Sequence, residues 1–274
     1  MPEEAQALAA PATHCEVIVD RWRDGDRVRV SDHVAEEAPI ALTYNGVPHV
    51  VMLATPANLE DLAVGFTLSE SIVAQRSEIQ EVQAVQREDG ALEVRIGIVG
   101  ARFSELLHRQ RNLTGRTGCG LCGAQTVEEA IRHPAPVTGG VKVRVSDLHE
   151  ALVNLKGRQE INSLTGSVHA AAWVLPESGI ELVREDVGRH NALDKVIGAV
   201  VRAGGDFSAG YFVVTSRASY EMVQKAATVG GAFLAAVSAP TAFAVRLAEA
   251  TGLTLVGFAR EHQHVVYAHP SRLS

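Results

Sequence analysis

Cys119 and Cys122 stand three residues apart in Arg116-Thr117-Gly118-Cys119-Gly120-Leu121-Cys122-Gly123, and only Cys15 adds a further thiol. Three glycines around two thiols give a backbone with unusual freedom, which argues against small buried cysteines packed in a core. Structural zinc needs four ligands, and one CxxC supplies two. No second CxxC and no His pair at finger spacing completes the set. The zinc-deaminase pattern also fails, because Ala170 and Ala171 follow His169 and no proline precedes Cys119. No metal ligand is therefore expected. A dithiol redox site would place its CxxC at a helix start after a buried strand. Here Arg109 to Gly118 is polar and basic. The remaining chemistry is sulfur transfer through a persulfide, in which Arg109, Arg111 and Arg116 would favour the thiolate and the second thiol would help release the outer sulfur. Spacing and composition leave the redox and sulfur-transfer readings both open.

A second group of residues suggests an anion site. Three apolar runs in the last third each end in polar residues: Tyr211–Val214 before Thr215-Ser216-Arg217-Ala218-Ser219, Ala232–Val237 before Ser238-Ala239-Pro240-Thr241, and Leu253–Phe258 before Ala259-Arg260. If these strands lie parallel and adjacent, Ser216, Arg217, Ser238 and Arg260 share one sheet edge, where helix N-termini favour phosphate. The alternative is that Ser219 and Ser238 only cap helices and the arginines are surface charges. No P-loop or GxGxxG is present, so a phosphate-rich ligand would meet a dispersed site. A third stretch, Asp186 to Lys195, crowds titratable groups, His190 among them, at a strand-to-helix turn. Such a histidine serves in ligand contact, in acid/base work or simply in pairing within the turn.

The elements that must position these residues follow from periodicity. Residues 15–55 alternate apolar and polar, with a hairpin signal at Asn45-Gly46. A helix from an Asn58 cap to about Ser71 presents Leu59, Leu62, Ala63 and Phe66 on one face. A second hairpin turns at Asp89-Gly90. Residues 146–158 read as a helix capped by Ser146, and 167–187 as a strand pair around Pro176–Gly179. Helices over Asn191–Val201, Ser219–Thr228 and Thr241–Thr251 then alternate with the three short strands, and His264–Tyr267 closes the chain as a strand. The expected fold is α/β (α+β overall): an antiparallel β-rich N-terminal subdomain at 15–110, a cysteine loop and connector at 111–145, and an α/β subdomain at 146–274 that carries the possible anion site, after a frayed tail at 1–14.

Composition bounds the function classes. The chain has 274 residues, 25 basic against 32 acidic, hence 25 − 32 = −7. That balance argues against a general nucleic-acid binder, and an anionic ligand would need a locally basic pocket. Three cysteines suit a reducing compartment rather than a disulfide scaffold. The uncharged run between Lys225 and Arg246 contains Gly230, Gly231, Ser238 and Pro240, so it reads as helix end, buried strand and new helix, with no membrane span.

Taken together, several segments resemble the formate dehydrogenase accessory sulfurtransferase (FdhD) family. They are Tyr44-Asn45-Gly46, Ala54-Thr55-Pro56, Leu62-Ala63-Val64-Gly65-Phe66, Cys119-Gly120-Leu121-Cys122-Gly123, Thr165 to Ala172, Arg184 to Lys195, Ser216 to Met222, Ser238-Ala239-Pro240-Thr241 and Leu253 to Arg260. The resemblance runs in order from about residue 37 to the C-terminus. It implies a cytidine-deaminase-like mixed-sheet core, a homodimer, and a cytoplasmic sulfur carrier that takes persulfide sulfur from a cysteine desulfurase. The sulfur passes to the molybdenum bis(molybdopterin guanine dinucleotide) cofactor for formate dehydrogenase, with GDP or GTP as partial mimics of that ligand. Cys119 then matches the persulfide-bearing residue and Cys122 its companion. Phe258, Ala259, Arg260, Glu261, His262 and Gln263 match the cofactor-binding segment, with Arg217 and Arg189 as further cations for it. This chain has Glu70-Ser71 where the family commonly has Glu-Gly. The alternatives carried forward are a non-catalytic guanine-nucleotide or cofactor chaperone and a dithiol oxidoreductase.

Overall fold

The computed structural model describes residues 11–111 and 134–274. Cys119, Cys122, Arg116 and most of the expected N-terminal tail lie outside the described residues.

The chain opens with a hairpin of β1 (His14–Arg23) and β2 (Asp26–Ala35), paired residue for residue as a separate two-stranded sheet. Cys15 is an exposed residue of β1. A four-stranded sheet follows in the order β4-β3-β6-β5, from β3 (Ala38–Tyr44), β4 (Val47–Ala54), β5 (Ile79–Gln86) and β6 (Leu92–Ile98). Asn45 and Gly46 turn the β3–β4 hairpin with φ of 49° and 81°, the positive pair that a two-residue hairpin requires. The antiparallel expectation holds within each hairpin but not across the sheet. β3 and β6 pair in parallel, because the chain between them crosses through β4, α1 and β5 before returning.

α1 (Leu59–Ser69) differs from its expected amphipathic form, since nearly every side chain in it is buried. One side packs on the four-stranded sheet with Ile40, Leu42, Val94 and Ile96, and the other meets the helix Arg189–Arg202. Asn58 precedes α1 in a left-handed conformation and makes no side-chain cap. Ser71 also takes a left-handed φ of 52°, the conformation glycine adopts without strain, at the place where the family resemblance sets a glycine. α2 (Gly100–Arg111) follows β6.

The second half builds a six-stranded mixed sheet in the order β12-β11-β10-β9-β7-β8. Its strands are β7 (His169–Leu175), β8 (Gly179–Asp186), β9 (Tyr211–Val214), β10 (Phe233–Ala236), β11 (Thr254–Arg260) and β12 (Gln263–Ala268). The central strands are apolar throughout because both faces are covered. Trp173, Phe212, Val214, Leu234 and Leu255 face α5 (Arg189–Arg202), α6 (Tyr220–Thr228) and α7 (Ala242–Thr251). Val174, Tyr211, Val213, Phe233 and Val256 face α3 (Val145–Lys156), which buries Leu148, Ala151, Leu152 and Leu155. Arg144, not Ser146, occupies the position before α3, and the Ser146 hydroxyl donates to Asp147 instead. The short α4 (Glu160–Thr165) precedes β7. The run from Lys225 to Arg246 is helix end, buried β10 and the start of α7. No helix among the described residues is long and apolar enough to cross a membrane.

α1 and α5 join the two halves at backbone distance. A Cβ on Gly65 would lie 1.7 Å from the Asp194 carbonyl oxygen, and one on Gly198 would lie 1.9 Å from the Asp61 carbonyl oxygen. Charges surround this crossing. Asp61 pairs with Arg184 (2.8 Å) and Arg202 (2.5 Å), and Asp194 with Lys225 (2.8 Å). Burial disfavours the Lys225 charge, but Asp194 and Glu70 outweigh it and hold its pKa above the usual lysine value.

The crossing makes a prediction with a definite sign. Alanine in place of a mid-helix glycine ordinarily stabilises by about 1 kcal/mol. At Gly198 the new methyl meets backbone that cannot step aside, so Gly198→Ala should destabilise by about 1–3 kcal/mol or more. Gly100→Ala, at a position with open space around its Cβ, is the neutral control. Urea unfolding of both variants checks this, and a Gly198→Ala protein as stable as wild type would remove the crossing as a constraint.

Candidate functional site

The sheet topology gathers the sequence motifs of the C-terminal half along one edge. β9, β10 and β11 are parallel neighbours, so their carboxyl ends share that edge. β7 runs antiparallel to β9, which brings its first residue, His169, to the same side. β8 is antiparallel to β7, with His169 opposite Asp186, so the start of α5 with Arg189 and His190 arrives there too. Backbone hydrogen bonds stitch the strand ends together: Val237 N–H donates to Val214 (2.9 Å), Thr241 N–H to Ala218 (3.0 Å) and Phe258 N–H to Ser238 (3.2 Å). Gly257 is required at this seam, since a Cβ would lie 2.7 Å from Pro240 Cδ.

The residues expected at this edge occupy different depths of it. Arg217 and Arg260 are exposed, and neither makes an ion pair among the described residues. Ser216 is buried and its hydroxyl donates to the Arg217 carbonyl (3.1 Å), so it lies beneath the edge rather than on it. Ser238 is half-buried and offers its carbonyl to Phe258. β11 does not stop at Phe258 as its apolar run suggests. It continues through a bulge to Arg260, which pairs with Gln263 across a tight turn. Phe258 sits in the bulge at φ 48° with 39% of its surface exposed. An aromatic residue held at positive φ is strained backbone, a feature that concentrates at ligand-binding positions. Ala259 points into the α3-side core, so only its backbone faces the edge. Glu261 and His262 form the turn, 3.4 Å apart, with the His262 side chain 87% exposed.

His190 lies in the first turn of α5, where free N–H groups and the helix dipole favour an anion. Its Nε2 is 3.4 Å from Glu221 Oε2, an ion-pair contact rather than a well-formed hydrogen bond. That buried Nε2 and the buried Nε of Arg189 have no hydrogen-bond partner among the described residues. Ser219 donates to the same Glu221 oxygen at 2.9 Å instead of capping α6 with its side chain. His190 holds the Glu221 carboxyl down to about 2 against the opposing effect of burial, and Ser219 adds to the lowering. Burial pushes the His169 imidazole below its usual value, and the nearby Arg189 and His190 push the same way against Asp186.

α5 is held in place by a buried ionic knot. Lys195 Nζ lies 2.6 Å from Asp186 Oδ2 and donates to the Thr55 carbonyl (2.9 Å). Asp186 also accepts from the Thr55 and Gly188 N–H groups and from Asn191 Nδ2. The titratable crowd from Asp186 to Lys195 therefore divides by depth: Asp186, Asp194 and Lys195 are structural, while Arg189 and His190 face the edge.

Glu221, Ser219 and His169 were not among the residues singled out as ligand contacts. The one sequence signal for Glu221 is its place two residues after Ser219 in a first helical turn. Among the described residues, no three His, Cys, Asp or Glu side chains converge as a metal-ligand set. An open depression of about 400 Å³, lined by Pro56, Asn58, Glu60, Asp61 and Arg202, lies at the far end of α5, away from this edge.

Comparison with known proteins gives one consistent answer. Residues 35–274 match the FdhD/NarQ family. The chain is 53% identical over 265 residues to the sulfur carrier protein FdhD of Cupriavidus necator, covering 97% of this chain and 92% of that one. It is 51% identical over 255 residues to the sulfur carrier protein FdhD of Xanthomonas euvesicatoria, covering 93% and 90%. A crystal structure of a protein assigned as a formate dehydrogenase accessory protein from Desulfotalea psychrophila superposes with a TM-score of 0.75 over 96% of this chain and 100% of that one. At 20% identity that likeness shows the fold, which is mixed α/β as expected. The sequence match extends from the end of β2 to the C-terminus, and the chain belongs to the FdhD/NarQ family.

Proposed function

We propose that this protein is a sulfur carrier in formate dehydrogenase maturation. The observation that carries the reading is the likeness, at about half identity over nearly the whole chain, to proteins named sulfur carrier protein FdhD. Cys119 thiolate attacks the outer sulfur of a cysteine desulfurase persulfide. The donor S–S bond breaks, the desulfurase cysteine leaves as a thiolate, and Cys119 keeps the sulfur as a persulfide. Cys122 assists its later release. The substrate that receives the sulfur is the molybdenum bis(molybdopterin guanine dinucleotide) cofactor, held at the strand-end edge.

Electrostatics support that placement. The chain is acidic overall, yet this edge collects Arg189, Arg217 and Arg260, with Glu221 engaged by His190 and Ser219, and Glu261 at the turn beside His262. Guanidinium groups that make no ion pair among the described residues, beside a helix N-terminus, suit the diphosphates of a guanine dinucleotide. Phe258 offers an exposed ring next to them.

Three measurements test the reading. After incubation with a desulfurase and labelled cysteine, the wild type should gain one sulfur atom by intact-protein mass. Cys119→Ala should gain none, and Cys122→Ala should still load. Full loading of Cys119→Ala would falsify the assignment, and a loss of two hydrogens in the wild type would favour the dithiol oxidoreductase. Second, Arg217→Ala should weaken GDP binding about tenfold or more in titration calorimetry, the scale of one charge-assisted hydrogen bond. An unchanged Kd would move the ligand elsewhere.

Third, the Glu221 contact has a pH signature. Its folded pKa, about 2, lies below the ordinary 4.5. Its stabilisation is therefore fully present above pH 4.5 and is lost as pH falls toward 2. Wild type should exceed Glu221→Gln in stability by on the order of 2 kcal/mol at pH 6, after allowing for partial solvent screening. The gap should shrink on acidification in urea unfolding, and a gap independent of pH would show that the contact with His190 is not ionic.

A further inference from the structure

The β11–β12 hairpin carries Phe258 to Gln263 on an irregular ladder. Its register slips between Leu255 and Val256 and again between Gly257 and Arg260. Among the described residues, β12 is also the outermost strand of the sheet, with no strand on its other side. Few ladder bonds therefore fix the tip, and side-chain contacts must do the rest.

One such contact comes from α3. His149 Nε2 lies 3.0 Å from His264 Nδ1, with the two rings edge to face at 5.2 Å between centroids. His264 follows Gln263 directly. α3 is itself firmly held. Its N-terminus is tied to the chain end that follows β12, through Val143 N–H to Arg272 (2.8 Å), Ser274 N–H to Val143 (3.0 Å) and Val145 N–H to Ser274 (2.9 Å). Its apolar face packs with Val256 and Ala259 of β11. α3 thus meets the end of the hairpin from a rigid base, and the imidazole pair is the polar link that reaches β12.

We propose that His149 is a positioning residue: through His264 it clamps the β11–β12 hairpin and sets the Phe258–Gln263 segment for the guanine dinucleotide. The proposal rests on the reading that this segment binds the cofactor. Its chemistry asks for one imidazole N–H donor and one bare ring nitrogen as acceptor, so the pair holds while at least one ring is neutral. Burial lowers the His149 pKa first, and the neighbouring His264 and His262 add to that, which keeps the acceptor available. The Phe258 backbone strain noted above then has a counterweight outside its own hairpin.

The test compares His149→Ala with His149→Gln, whose amide can still donate to or accept from His264. Hydrogen exchange reads the clamp without any ligand, and GDP titration reads its consequence. In His149→Ala, amides of residues 260–264 should exchange about tenfold faster, and GDP should bind about five- to tenfold more weakly, with Cys119 still loading sulfur. His149→Gln should restore both values to near wild type. Unchanged exchange in His149→Ala, or a His149→Gln protein as loose as the alanine variant, would overturn the clamp. Faster exchange with an unchanged GDP Kd would overturn the positioning role alone. If wild type itself does not bind GDP, the cofactor reading falls, and the exchange data still decide the clamp.

Discussion

Two helices approach so closely at Gly65 and Gly198 that neither position has room for a methyl group. Most of what makes the candidate site follows from that contact. α5 must lie flat against α1 for the crossing to close, and its first turn carries Arg189 and His190. The same helix is pinned near its middle, by Lys195 to Asp186 and to Thr55 after β4, and by Asp194 to Lys225. A buried charge left without its partner is costly, so these pairs fix the helix in one setting. The N-terminal sheet, α1 and α5 therefore act as a single support for an edge that belongs to the other sheet.

That support explains how an acidic protein can present a basic edge. The arginines near the crossing, Arg184 and Arg202, are neutralised by Asp61 and Glu60. Arg189, Arg217 and Arg260 lie where strand ends and helix starts meet and make no such ion pairs among the described residues. The field at the edge depends on which charges are paired inside the molecule, not on their sum.

Much of this was legible in the residues. Asn45-Gly46 announced its hairpin because few residue pairs accept two positive φ values. The apolar runs at Tyr211–Val214 and Ala232–Val237 announced strands covered on both faces, and the polar residues after them marked one edge. Caps are less legible in residue type alone. Asn58, Ser146 and Ser219 are all common cap residues, but a left-handed backbone, a neighbouring aspartate and a neighbouring glutamate took their place or their side chains. The end of β11 lies beyond its apolar run, because a bulge carries the strand past Phe258 to Arg260.

The sequence by itself determined the local alphabet: strands, helices, two thiols in a glycine run, and the family to which those motifs point. Local propensity and spacing suffice for these because each depends on neighbours within a few residues. Only the tertiary structure decided which of the crowded groups from Asp186 to Lys195 are buried pairs and which face a ligand. It also brought His190 to Glu221 and His149 to His264, across 31 and 115 residues. Such pairings depend on strand order and helix crossing, and no local pattern encodes the partner of a side chain that far along the chain.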